Sequence, residues 1–117
     1  MNLNELNHEE TVVLLGFMRV IIQADGEFTE GEREQVARVR EAIGAERFQT
    51  AMHEASQRFE DNNEALKIAT KAVTRPEARK VIHALLVDVA ESDRVSTEEE
   101  KPLRWLESWW SLPRHDA

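Results

Sequence analysis

A chain of 117 residues with 41% hydrophobic content is one domain's worth of sequence, able to bury roughly two-thirds of its unfolded surface in a single core. With 23 acidic against 15 basic residues, its formal charge of −8 argues against nucleic acid or anionic membrane as partners and is compatible with cations or a basic partner. It contains no Cys, which excludes disulfides, thiolate metal sites and Cys nucleophiles.

The segment Met1–Glu10 is polar and acidic, with no basic region ahead of an apolar core, so no secretory signal is expected. The longest apolar run, Val12–Ile22, is interrupted by Arg19 and is too short to span a bilayer. A cytoplasmic location is therefore the default expectation. The first helix is expected from Asn7, a good N-cap followed by Glu9 and Glu10, to about Gln23. Its apolar residues fall on almost every face, the pattern of a helix buried on most sides. Asp25-Gly26 breaks it. Thr29 and Glu32 form a T-x-x-E capping box that opens a second helix, with Val36, Val39 and Ile43 as its inner stripe and Gly44 as its stop. A third helix places Phe48, Met52, Ala55 and Phe59 on one face, and a turn at 60–63 leads to a short fourth helix from about Glu64 to Val73. Thr74-Arg75-Pro76-Glu77 reads as another capping box, opening an apolar fifth helix to about Ala90. Ser96 and Glu99 form a further box before a sixth helix through Trp105, Trp109 and Trp110. Pro102 lies deep for a helix start, which predicts a local kink or a shifted start. The ordered part is expected over about 8–111.

Shifting the chain by 67 positions aligns its halves: Leu15 with Ile82, Met18 with Leu85, Phe28 with Val95, Thr29 with Ser96, Glu32 with Glu99, Val39 with Leu106 and Ile43 with Trp110. The fold class that follows is all-α, a compact bundle of about six helices with an internal pseudo-twofold helix–acidic loop–helix repeat. This arrangement requires the first and fifth helices to touch.

The first acidic loop, Ala24 to Glu32, has the second half of an EF-hand calcium loop: an Asp, the turn Gly, an apolar residue and a Glu opening a helix. The first half is missing, with Ile21 and Gln23 where the first two carboxylates belong. The second loop, Asp88 to Glu99, has Ala90, Ser92 and Asp93 where an acid, an acid and Gly are wanted. Ca²⁺ takes about six to eight oxygens, so neither loop makes a strong site by itself. The plain alternative explains the same acids as helix-cap residues and Asp25-Gly26 as a turn.

The stretch from Ile22 to Glu32, with its degenerate echo at Ala90 to Glu99, resembles the TerB-like family, which includes tellurite-resistance TerB proteins and the N-terminal domain of DjlA-type co-chaperones. The resemblance covers about residues 8–111. It implies a compact all-α fold with paired acidic loops that bind a divalent cation. Asp25 and Glu32 match the first loop's acidic positions. In the second loop Glu99 matches, while Ser92 and Asp93 depart from the family's Asp and Gly. The metal candidates are Asp25 and Glu32, with Asp93 and Glu99 as helpers. The function implied is a non-enzymatic module linked to tellurite or metal stress response. The alternative is a protein-interaction or regulatory module whose acidic loops are only caps. Without Cys, thiol-based tellurite reduction is excluded for this chain.

No His pair has metal-ligand spacing and no Ser lies in a nucleophile elbow, so neither a catalytic site nor an enzymatic activity is expected. His83, on the apolar fifth helix, is expected to be a satisfied core histidine. Arg33, Arg40 and Arg47 are expected on a solvated face. Of the three Trp residues, Trp105 and Trp109 share a helical face and Trp110 points elsewhere. One reading leaves at least one of them exposed and available to a partner; the plain alternative is that they cap the core at the C-terminal end. A protein partner is expected, with no nucleic acid and no integral membrane segment.

Overall fold

The computed structural model describes residues 1–23, 29–60, 62–91 and 97–113, with the backbone alone for 97–99. Six α-helices run through them: α1 (His8–Gln23), α2 (Glu30–Ile43), α3 (Ala45–Phe59), α4 (Asn63–Ala69), α5 (Pro76–Ala90) and α6 (Thr97–Trp109). Short 3-10 turns at Leu3–Glu5 and Thr70–Ala72 complete the elements, and no strand occurs among the described residues. The all-α class of about six helices holds.

The burial of α1 follows from its position. It packs against α3, α5, α6 and α4, so no broad face is left for solvent. Val12, Val13, Leu14, Leu15, Met18 and Ile21 are completely buried. Each such side chain contributes about 1.5–3 kcal/mol of transfer free energy, which makes this helix the centre of the core. The helix starts where expected, just after Asn7, and Leu6 ahead of it is buried as well.

The helix ends follow local chemistry. The Asn7 side chain accepts from the Glu10 N–H at 2.8 Å, while Glu10 Oε1 accepts from the Asn7 N–H at 2.8 Å, a reciprocal box at the start of α1. Gly44 has φ +100°, a conformation that side-chain-bearing residues rarely adopt, and it alone separates α2 from α3. The expected Thr74 box does not form. The N-cap of α5 is Arg75, without a side-chain cap bond, and Pro76 takes the first helical position, where its missing N–H costs nothing. The fourth helix gives way to the 3-10 turn at Thr70, whose hydroxyl donates back to the Lys67 carbonyl. Pro102 lies within α6, whose start at Thr97 makes it the sixth helical residue.

Two ionic clusters tie α1 to its neighbours. Arg75 grips the Glu10 carboxylate through Nε and Nη2. Arg58 Nη1 meets Glu9 at 2.8 Å and Glu54 at 2.9 Å, and His8 bonds the other oxygen of Glu54. The bonds from His8 and Arg58 hold the Glu54 carboxyl below its ordinary range.

The 67-residue shift carries α1 onto 75–90 and α2 onto 97–110, close to the bounds of α5 and α6. α1 does touch α5, and the α1–α6 contact has its shifted counterpart in α5–α2. The burial pattern is less even. Leu15 and Ile82, Val39 and Leu106, and Ile43 and Trp110 are buried in both halves, whereas Leu14 and Met18 are buried and their counterparts Val81 and Leu85 are only half-buried.

Candidate functional site

The four acidic candidates fall unevenly on the structure. Asp25 and Asp93 lie outside the described residues, as does the side chain of Glu99. Glu32 is described and buried. Its Oε1 accepts from the Thr29 N–H at 3.0 Å and the Thr29 hydroxyl at 3.1 Å, while its own N–H donates to Thr29 Oγ1 at 3.2 Å. This is the expected capping box, so a cation at Glu32 would compete with the cap for the same carboxylate. Among the described residues no group of three or more His, Asp or Glu side chains is placed to hold a metal ion. No helix among them is long and apolar enough to cross a membrane.

The other sequence candidates resolve into structural roles. His83 is half-buried and its Nε2 lies 2.6 Å from Oε2 of the buried Glu107, a bond across α5 and α6. Arg47 is exposed, as expected, and also donates to the carbonyls of Asn4 at 3.2 Å and Leu6 at 2.7 Å and to the Thr11 hydroxyl at 3.4 Å, pinning the N-terminal segment to α3. Arg33 and Arg40 remain on the outer face of α2, around a shallow depression with Val36 and Ala37.

The tryptophans form the most organised surface feature. Trp105 and Trp109 are four residues apart on α6, the spacing that sets side chains one above the other. Their rings stack at 5.8 Å with an interplanar angle of 13°. Trp105 also stacks on Phe17 of α1 at 6.1 Å and 21°. The ladder runs from buried Phe17 through half-buried Trp105 to Trp109, which is 49% exposed. Trp110 turns the other way into the core, under the guanidinium of Arg79 at 5.7 Å from its ring. Trp110 thus closes the core, as the capping reading expects, while Trp109 stays exposed.

Beside this ladder a cavity of 170 Å³ opens between α1, α4 and α6. Its apolar wall is Phe17, Val20, Leu66, Pro102 and Trp105. Asn63, Lys67 and Lys101 supply its polar groups. The Lys67 ammonium stands 5.2 Å from the Trp105 ring centroid, within cation–π range, so its charge is held at the cleft. The spacing of Trp105 and Trp109 was visible in the sequence, but the convergence of Lys67, Lys101 and Phe17 on them was not. These residues come from three helices, and no local pattern encodes their meeting.

Comparison of the chain with protein-family models, with curated proteins and with solved structures gives no match.

Proposed function

We propose that this chain is a non-enzymatic binding module that receives one bulky apolar side chain of a partner protein in the cleft between α1, α4 and α6. The observation that carries this reading is the aromatic ladder, which passes from the core out to the 49% exposed Trp109 beside a cavity of 170 Å³. Sites for cofactors and drug-sized molecules run from about 300 to 1,000 Å³, so this cavity suits a single anchoring side chain. The test is selection of binders from a random-peptide library, followed by comparison of the wild type with cleft-filling variants, Val20→Phe and Asn63→Trp. Selected peptides should lose affinity for both variants, provided each melts as the wild type does. Peptides that bind the filled cleft undiminished would overturn the reading.

A second reading places a divalent cation in the acidic loops, in a TerB-like module tied to metal or tellurite stress. It is supported by the sequence of the first loop and by the helix bounds that follow the 67-residue shift. The residues that would hold the ion are Asp25 and Glu32, with Asp93 and Glu99 as helpers. A ligand that binds only the native state must raise its melting temperature. The check is therefore a thermal melt with Ca²⁺, Mg²⁺, Mn²⁺ or Zn²⁺ for the wild type, Asp25→Asn and Glu32→Gln. Absence of a shift at millimolar metal ends this reading, and a shift that survives Asp25→Asn moves the ion elsewhere.

A further inference from the structure

We infer that the side chain received in the cleft is an aromatic one, carried by a segment of another protein, and that Lys67 selects it over aliphatic side chains by offering its ammonium to the guest ring. The inference rests on the binding-module reading and adds to it the partner's chemistry and a specificity-determining residue.

Lys67 of α4 and Trp105 of α6 line the same cavity. The Lys67 ammonium stands 5.2 Å from the Trp105 ring centroid and 3.8 Å from Glu64 Oε1. The Glu64 side chain is 81% exposed, and an ion pair of that kind contributes little. The aromatic face is therefore the contact that holds the ammonium beside the apolar wall, and it covers one side of a group with three donors. A guest that enters the cavity takes water away from this charge. An aliphatic guest fills the space against Phe17, Val20, Leu66 and Pro102 but returns nothing to the ammonium. A carboxylate pairs with the ammonium but has to bring its own charge against the same apolar wall. A basic guest sets like charges together. An aromatic ring meets both demands, because its body fills the apolar space and its electron-rich face gives the ammonium a second π partner. If the guest is Trp or Tyr, the Asn63 amide in the same cleft can accept its N–H or O–H. A second copy of this chain is a poorer source of the ring. Among the described residues Trp109 is the one exposed large aromatic, and it is already stacked at 5.8 Å on its own Trp105.

The experiment uses the peptides selected on the full chain, each resynthesised with Phe or with cyclohexylalanine at the anchor position. Cyclohexylalanine keeps the shape of Phe and lacks its π face. Selection should enrich Trp, Tyr or Phe over Leu, Ile and Met. On the wild type the cyclohexylalanine peptide should bind roughly twofold to fivefold more weakly than its Phe counterpart. Lys67→Met should abolish that difference and Lys67→Arg should keep it, with Lys67→Gln in place of the Met variant if the latter melts early. Aliphatic anchors, equal affinity for the two peptides, or a difference that persists in Lys67→Met overturn the inference and leave the binding module standing. Asp or Glu at the anchor position overturns it in favour of an acidic guest. A library that yields no binder, or peptides that ignore Val20→Phe and Asn63→Trp, overturn both. Sedimentation showing a wild-type dimer that Trp109→Ala converts to monomer overturns it in favour of a second copy.

Discussion

Glu10 is 1% exposed and still carries its charge, because three donors converge on its carboxylate: the Asn7 N–H and the Nε and Nη2 of Arg75. The Arg75 hydrogen bonds are the largest influence and, with the Asn7 bond, outweigh the desolvation that pushes the other way, so the Glu10 carboxyl lies below its ordinary value of 4.5. A depressed carboxyl stabilises the fold at pH values above the unfolded-state pKa, and that stability disappears as pH falls through the folded-state value. Denaturant midpoints measured from neutral pH down to about pH 3 should therefore fall for the wild type and fall less steeply for Glu10→Gln. At neutral pH the variant keeps an amide oxygen for the Asn7 box and loses the ion pair, so it should be less stable than the wild type. An equally steep acid limb in the variant would show that other carboxylates set the acid response. Only half of this arrangement is legible in the sequence. The Asn7-Glu10 box is a local pattern, whereas Arg75 lies 65 residues away and nothing local links it to Glu10.

At the scale of elements, the seam between α1 and the α3–α4 pair depends on Gly16. A Cβ built there would lie 2.8 Å from Leu66 Cδ1 and 2.8 Å from Phe59 Cδ2, both on buried side chains. Alanine would gain about 1 kcal/mol of helix propensity, but overpacking a filled core costs about 1–3 kcal/mol, so the clash wins. Gly16→Ala should lose about 1 kcal/mol by denaturant unfolding, and part of that cost should vanish when Leu66→Ala is present in the same chain, the Phe59 contact remaining. Additive losses in the double variant would mean that the seam is not the site of strain. The helices themselves were readable, since caps such as Thr29, Glu32 and Gly44 are local and set the bounds within a residue or two. Two errors share one cause. At Thr74 and at the end of α4, a residue's preferred local bond competes with its neighbours: Pro76 and Arg75 set the start of α5, and the Thr70 hydroxyl turns back onto Lys67. The aromatic cleft was half legible for a different reason. Trp105 and Trp109 share a helix, but Phe17 and Lys67 reach them only once α1, α4 and α6 have packed.

At the scale of the whole molecule, the two halves of the chain do not have separate cores. α1 belongs to the first half, yet it packs along α5 and α6 of the second as well as along α3. Removing either half would expose the buried face of the other, so neither has an independent hydrophobic core. The chain should unfold in one cooperative step. Its tryptophans make this testable, because all three lie at or beside the C-terminal end of α6. Fluorescence therefore reports on one end of the second half, whereas far-ultraviolet circular dichroism reports on every helix. The two denaturation curves should coincide. Leu15 is completely buried in α1, a different helix from the one that carries the tryptophans. Leu15→Ala should cost about 2–5 kcal/mol, a large share of the 5–15 kcal/mol typical of a domain. If the core is shared, the variant moves both curves by the same amount, although the substitution and the fluorophores are on different helices. If the halves unfold separately, ellipticity is lost first and the tryptophan transition stays where it was, and the shared core is then the claim that fails.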